Sequence, residues 1–188
     1  HLPHITPRNL QTCVTSPPLY TTQTFAYGLA TLQHITPDPA SVPYTLFAPP
    51  ERASAAEVAS QHAAFIAASP LVAAALDAIP DIVLVLNQHR QIVFANKVLL
   101  DYLGCDMAAA LGLRPGEALD CVHAADEEWG CGTSEFCRMC GAAQAVMQGL
   151  AGQTAVQECR ITRKCSRESL DLRVRAAPLI FEGQGWVE

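Results

Sequence analysis

Four of the eight cysteines in this chain of 188 residues lie within one stretch of twenty residues. They follow the spacing C-x9-C-x5-C-x2-C, at Cys121, Cys131, Cys137 and Cys140. In a reducing compartment such crowding favours a metal site over a disulfide framework. Four thiolates that converge on one point suit tetrahedral Zn²⁺ or an iron–sulfur cluster, and without a cation their charges would repel one another. The spacing therefore predicts a four-cysteine metal centre, and the alternative is four buried, inert thiols.

The identity of the metal stays open between an iron–sulfur cluster and zinc, with a slight preference for the cluster. Zinc ribbons usually contain two C-x2-C pairs, and this chain has one. Iron–sulfur motifs often place a proline after the last cysteine, where this chain has Gly141. A c-type haem is excluded because the C-R-M-C sequence ending at Cys140 is followed by glycine rather than histidine. His123, two residues after Cys121, is a candidate hydrogen-bond donor to a ligating thiolate.

The elements around the cysteines should position them for this chemistry. Ser134 can cap a helix over residues 135–148, which would place Cys137 in the first turn and Cys140 one turn later on the same face. Backbone N–H groups at the start of a helix favour thiolate, which is the form that binds metal. The glycines on either side of Cys131 would let the backbone wrap closely around an ion.

After residue 80 the pattern predicts a mixture of strands and helices. An aliphatic run over 82–86 and a returning run over 91–95 are typical of two paired strands joined by a polar turn. A short helix over Lys97–Leu103 follows, capped by Asn96 and ended by Gly104. Further strands are predicted over 156–162, 170–176 and 184–188. The last one is expected to be cut by the end of the chain, as in a fragment of a longer protein. This order indicates an α+β fold.

Residues 1–52 carry nine of the thirteen prolines and no sustained periodicity, which predicts an extended Pro-rich arm. The arm is either a linker or a segment that becomes ordered on a partner. Residues 53–79 should form two helical segments, because Pro70 interrupts the pattern and Ser69 can cap the second segment. Their apolar stripe should pack onto the following domain, with homodimerisation as the alternative. Its members are Val58, His62, Phe65, Ser69, Val72, Leu76 and Ile79.

Composition and charge exclude several classes of function. With 18 acidic and 12 basic residues, the net charge of −6 offers no basic face for nucleic acid. No apolar run approaches the ~20 residues of a membrane-spanning helix, and no signal segment opens the chain, so the expected location is the cytoplasm. The sequence contains no nucleophile–base set, phosphate-binding glycine loop or spaced carboxylate pair, so no catalytic residue is assigned.

Residues 71–188 resemble the PAS sensor domain. The hairpin segments at 76–87 and 90–96 carry the general resemblance. The stretches LGLRPGEALDCVHA at 111–124 and CGTSEFCRMCGAA at 131–143 look like a cysteine-bearing subgroup of PAS domains found ahead of bacterial histidine-kinase modules. The resemblance implies an antiparallel sheet with a helical belt, preceded here by the N-terminal helix and the arm. No kinase signature is present, so no enzyme activity is implied for this chain, although a kinase module could lie downstream.

These observations predict a sensory domain at 80–188 that holds the four-cysteine centre, after the arm at 1–52 and the helical segments at 53–79. If the centre is an iron–sulfur cluster, its oxidation would shift the long helix against the sheet. If it is zinc, it would fold a segment that is short of apolar residues, and an unknown ligand of the PAS cavity would be the signal. The expected partner is a second copy of the chain or a larger protein assembly. The alternative function is a non-catalytic subunit that docks through its N-terminal arm.

Overall fold

The structure is a computed structural model that describes residues 45–68 and 70–188. Most of the predicted arm, together with Cys13 and the predicted cap at Ser69, lies outside the described residues. The chain divides into two units, His1–Pro43 and Tyr44–Glu188, and all that follows concerns the second. Residues 45–52, which the sequence assigned to the arm, belong to this second unit.

The described part of the chain contains short helices and antiparallel strands. In chain order they are α1 (Ala55–Ala68), α2 (Pro70–Asp77), β1 (Leu84–Leu86), β2 (Ile92–Ala95), α3 (Lys97–Leu103), α4 (Met107–Ala110), α5 (Pro115–Ala118), α6 (Gly141–Leu150), β3 (Ala155–Thr162), β4 (Ser169–Ala176), β5 (Pro178–Phe181) and β6 (Gln184–Val187). Two 3-10 turns, Val122–Ala125 and Glu135–Arg138, lie between α5 and α6. The predicted α+β order is confirmed.

The predicted break near Pro70 is confirmed, because α1 and α2 are separate helices that meet at an angle of 96°. The predicted stripe holds in α1, where Val58 and Phe65 are buried, and at Leu76 of α2, which packs half-buried against the same cluster. It fails at Val72, which is 45% exposed, while Ala73 next to it is buried. Among the described residues no single helix is long and apolar enough to cross a membrane. The bent α1–α2 pair taken together has the length and the apolar composition of a membrane span, but nothing beyond these two properties indicates one.

The strands form two antiparallel groups. A four-stranded sheet has the order β2-β1-β6-β5, and β3 pairs with β4 as a separate hairpin. Only Ala177 separates β4 from β5, so the two groups are joined by one nearly continuous length of extended chain. The sequence reading missed β5 because Pro178 discourages a strand assignment. The structure places this proline at the first position of the strand, where its missing N–H is tolerated.

Both faces of the four-stranded sheet are buried at β1 and β2. Leu86 and Ile92 belong to a cluster with α6, whereas Val85 and Val93 belong to a second cluster with α1. Burial on both sides explains why β2 is a continuous apolar run instead of an alternating one. Phe65 of α1 completes the second cluster through ring contacts with residues of β2, β5 and β6.

The predicted helix over 135–148 is confirmed from residue 141 onward, but its first half is wrong. The structure has a 3-10 turn over Glu135–Arg138, then extended backbone at Cys140, and α6 begins only at Gly141. Ser134 makes no cap hydrogen bond, and its hydroxyl lies 3.4 Å from the Sγ atom of Cys137. The interruption lets the start of α6 press against β3, since a Cβ atom added at Gly141 would lie 2.0 Å from the carbonyl oxygen of Glu158.

Candidate functional site

The four predicted cysteines lie along the segment that connects α5 to α6. Cys121 follows α5 and forms an isolated backbone bridge with Arg163. Cys131 lies in the glycine-flanked loop, Cys137 lies in the second 3-10 turn, and Cys140 caps the start of α6. Cys137 and Cys140 therefore lie on two successive elements. The prediction that they share one face of a single helix is wrong.

Gly116 brings Cys121 and Cys131 together. A Cβ atom added at Gly116 would lie 2.6 Å from the Sγ atom of Cys131 and 3.4 Å from the Cβ atom of Cys121. Both cysteines therefore pack against the backbone of α5, and any larger residue at Gly116 would force them apart. Burial raises the pKa of Cys131 to about 12 and also raises the pKa of Cys121, so both thiols are protonated at neutral pH in the metal-free protein.

Cys140 has a different sulfur neighbour, one that the sequence reading did not include. The Sγ atoms of Cys140 and Cys159 are 3.5 Å apart, and Cys159 lies on β3. A hydrogen bond from the thiol of Cys159 lowers the pKa of Cys140 to about 6, with further help from the N–H groups of Ala142 and Ala143 at the start of α6. The same hydrogen bond raises the pKa of Cys159, so the two thiols titrate as a coupled pair.

The residue types fit a thiolate metal centre, but the sulfur atoms are not gathered around one point. Within residues 45–68 and 70–188, no group of three or more histidine, cysteine, aspartate or glutamate side chains is arranged to hold a metal ion. Cys121, Cys137, Cys140 and Cys159 are nevertheless near enough to influence one another electrostatically. Thiolates are the ligands that zinc and iron–sulfur clusters prefer, so the donor chemistry supports the hypothesis while the ligand geometry stays a prediction.

Arg114 holds the cysteine-bearing segment in place from inside. Its side chain is fully buried, and its guanidinium donates to five carbonyl oxygens at 2.8–3.1 Å. The acceptors are His89, Trp129, Cys131, Pro50 and Glu51. Burial, together with the positive charges of Arg90 and Arg52, lowers the pKa of Arg114 to about 9. One side chain thus joins the end of the arm, the β1–β2 turn and the cysteine loop.

Glu117 is the acidic partner in this network. Its Oε2 atom accepts from the backbone N–H of Arg114 at 2.9 Å. Its Oε1 atom accepts from the backbone N–H of Cys131 at 3.1 Å and from the guanidinium of Arg52. Gly130 has a positive φ of 80°, and a Cβ atom there would lie 2.1 Å from this carboxylate. The glycine predicted to make room for an ion therefore makes room for Glu117. The sequence signal for this pair was R-P-G-E at 114–117, a helix start with proline first and glutamate third.

Arg90 places a second buried cation beside the cysteines. Only 5% of the residue is exposed, and the side chain donates to the carbonyl oxygen of Pro49 at 2.7 Å, while its Nε atom has no hydrogen-bond partner among the described residues. Burial lowers the pKa of Arg90, and negative charge on Cys131 or Cys137 would oppose this effect. Two buried guanidinium groups against one carboxylate leave an excess of positive charge, although burial still keeps the thiols of Cys121 and Cys131 protonated in the metal-free protein.

The end of the arm is part of the same structure. The backbone of Leu46 donates to Thr133 at 3.0 Å, and Ala48 donates to Gly132 at 2.9 Å. The side chain of Arg138, next to Cys137, donates a hydrogen bond of 2.6 Å to the carbonyl oxygen of Leu46. Residues 46–48 therefore pair with the loop that carries Cys131, a contact that no local pattern in the sequence indicated.

His123 lies in the first 3-10 turn, close to but not within the thiol cluster. Its Nδ1 atom is 2.7 Å from a carboxylate oxygen of Asp126, and its ring stacks on Phe136 with centroids 4.1 Å apart. The predicted role as a hydrogen-bond donor to a ligating thiolate stays a prediction, since the contacts seen are with a carboxylate and a phenyl ring.

Comparison with known proteins gives one family match. Residues 71–138 match a family model described as "PAS domain". No curated protein matches the chain. The chain is similar to the solved PAS domain of an HTR-like protein from Haloarcula marismortui, with 20% identity, a TM-score of 0.42, and coverage of 64% of this chain and 92% of that one. It is also similar to the PAS domain of nitrogen regulation protein NR(II) from Vibrio parahaemolyticus, with 15% identity, a TM-score of 0.44, and coverage of 62% and 92%.

Proposed function

We propose that this chain is a PAS sensory domain, supported by the family match over residues 71–138, and that it senses a signal through the cysteine-bearing segment between α5 and α6. The observation that carries the proposal is the position of Cys140, which caps α6 while α6 itself packs against β3, β4 and β6. A chemical change at the cysteines would therefore act directly on the helix that covers one face of the sheet.

The proposed sensor chemistry is a metal centre held by Cys121, Cys131, Cys137 and Cys140, either an iron–sulfur cluster or zinc. The buried cations Arg90 and Arg114 support it, because they would offset the charge of several thiolates. When bound, an iron–sulfur cluster would supply redox chemistry and zinc would supply a structural crosslink. The chain itself supplies the thiols, the buried guanidinium groups that hold their loop, and the helix start at Cys140.

Metal analysis of anaerobically purified protein tests this proposal. A cluster predicts brown protein with iron and sulfide, and structural zinc predicts colourless protein with zinc by elemental analysis. Cys137→Ala should lose the metal in either case, while the matched variant Cys105→Ala should keep it, because Cys105 lies outside the segment. Unchanged metal content in Cys137→Ala would refute the ligand assignment. Absence of metal from well-folded wild-type protein would refute the centre itself.

The proposal places the chain in a reducing, cytoplasmic compartment, as a signalling domain without catalytic activity of its own. A kinase module downstream remains compatible with the proposal. The net charge of −6 argues for a protein partner in preference to a nucleic acid.

For that partner we propose a second copy of the chain, joined through α2. Leu71 is 82% exposed and Val72 is 45% exposed on this helix, so an apolar surface is open to another protein. Leu71→Glu should therefore convert a dimer to a monomer in size-exclusion chromatography with light scattering. The alternative is a subunit that docks through its arm at 1–52, of which residues 1–44 lie outside the described residues. A wild-type monomer would contradict the dimer.

A further inference from the structure

Cys140 and Cys159 bring two sulfur atoms from different elements into contact. Their Sγ atoms are 3.5 Å apart, which is within contact distance but beyond the ~2.05 Å of a disulfide bond. The two residues are far apart in sequence and lie on different elements, the start of α6 and the middle of β3. A small approach of one side chain towards the other would allow a covalent bond.

Packing fixes this proximity. Gly141 touches the backbone of Glu158, and the absence of a side chain at Gly141 is what lets α6 begin against β3. Cys159 itself is paired with Leu172 across the β3–β4 hairpin, so its position on the strand is set by the ladder. The pair is therefore held by two rigid elements and not by a mobile loop.

The surroundings suit chemistry at Cys140. Cys140 is the residue at the start of α6, and its sulfur is within hydrogen-bond distance of the sulfur of Cys159. Cys159 is 6% exposed, but it borders an open surface pocket of about 470 Å³ on the β3–β4 hairpin, which would admit a small oxidant. Cys140 is itself only half-buried. Cys140 is thus the more accessible of the two thiols, and Cys159 lies beside it as the resolving thiol.

We propose that Cys140 and Cys159 are a peroxide-sensitive dithiol that closes to a disulfide. The sulfur of Cys140 attacks one oxygen of a hydroperoxide and loses its proton, which forms a sulfenic acid and releases water, or an alcohol from an organic peroxide. The sulfur of Cys159 then attacks the sulfenic sulfur, loses its proton, and releases a second water as the S–S bond forms. The dithiol is oxidised by two electrons, and the peroxide is reduced by two.

The disulfide would tie the start of α6 to β3. It would also remove Cys140 from any metal, so oxidation of the pair and metal binding through Cys140 exclude each other. The dithiol does not require the proposed metal centre, because the sulfur contact exists without a metal ion. The two proposals can therefore fail separately.

Peptide mapping gives a direct test, because trypsin cuts after Arg138 and Arg160 and at no position between them. Residues 139–160 then leave as one peptide that holds both cysteines. The full chain, as purified and after chelation, is treated with equimolar hydrogen peroxide, blocked with N-ethylmaleimide and digested. We expect this peptide to lose two hydrogen atoms and both sites for the blocking reagent, and to recover them with dithiothreitol.

Single variants separate a dithiol from ordinary oxidation. In Cys159→Ser, Cys140 should gain oxygen atoms in place of losing hydrogen, because its resolving thiol is gone. The matched variant Cys105→Ser should form the disulfide as the wild type does. The proposal is overturned if the wild-type peptide only gains oxygen, if it stays reduced, or if it becomes linked to the peptide that carries Cys137. If Cys137→Ala loses its metal but the wild-type protein forms no disulfide between Cys140 and Cys159, the dithiol proposal fails and the metal-centre proposal stands.

Discussion

The strand–helix region at 84–104 and the cysteine-bearing segment at 111–140 are stabilised in different ways. In the first, apolar strands are buried on both faces, and α3 is capped by Asn96 next to it in sequence. In the second, several turns lie over few apolar side chains, and their carbonyl oxygens converge on the guanidinium of Arg114. Apolar burial is shared among many residues, whereas a polar network depends on its central member.

Replacement of Arg114 by alanine should have the largest effect. The variant leaves five carbonyl oxygens without their donor in a fully buried position and opens a cavity. We expect the free energy of unfolding to fall by about 3–5 kcal/mol, or the variant not to fold. Chemical denaturation followed by circular dichroism measures this change.

Arg138 provides the matched control for Arg114. It donates to a single carbonyl oxygen, that of Leu46, from an exposed position. Arg138→Ala should therefore change the free energy of unfolding by no more than about 0.5 kcal/mol. Equal effects of the two substitutions would mean that the cysteine-bearing segment is stabilised by something other than Arg114.

Asn96 tests the strand–helix region in the same way, with a smaller expected effect. Its side chain accepts from Val83 and Leu99 and donates to the carbonyl oxygen of Asp81 at 2.8 Å. Asn96→Ala should cost about 2–3 kcal/mol, whereas Asp106→Ala, which removes an exposed cap from α4, should cost about 1 kcal/mol. The denaturation midpoints of Asn96→Ala and Asp106→Ala are compared, and their difference measures how much burial adds to the stabilising effect of a helix cap. Equal costs would show that Asn96 acts only as a cap.

The two regions also differ in how far the sequence predicted them. The bounds of α3, Lys97–Leu103, and its caps were predicted as observed, because the signals lie within one or two residues of the helix ends. The β3 and β4 strands were predicted to within a residue, since alternation is a local pattern. Fold class therefore followed from short-range information.

The geometry of the candidate site did not follow, because distant residues set it. The helix predicted through Cys140 is interrupted where Gly141 meets Glu158 of β3, a contact between elements that the sequence alone does not place together. Cys159 was left out of the ligand set for the same reason. Arg114 could have been singled out only as the start of a capped helix, and nothing local indicates that it binds Pro50 and Glu51.

The last prediction compares two thiols of the site itself, Cys140 and Cys131. In metal-free protein the pKa of Cys140 is about 6 and that of Cys131 is about 12, against an ordinary value of 9.0. Iodoacetamide at pH 8 should therefore modify Cys140 first, with a rate that falls as the pH drops through about 6. A lowered pKa means that folding favours the thiolate, so its stabilising contribution is lost over the same fall in pH.

A matched variant identifies the cause of that shift. In Cys159→Ala the thiol donor is absent, so the midpoint for modification of Cys140 should rise towards 9.0, while Cys105→Ala should leave it in place. Tryptic peptides separate Cys140 from Cys131 because trypsin cuts after Arg138, so mass spectrometry follows each rate in one sample. An unshifted midpoint in Cys159→Ala would assign the low pKa of Cys140 to the N–H groups of α6 and not to its sulfur neighbour.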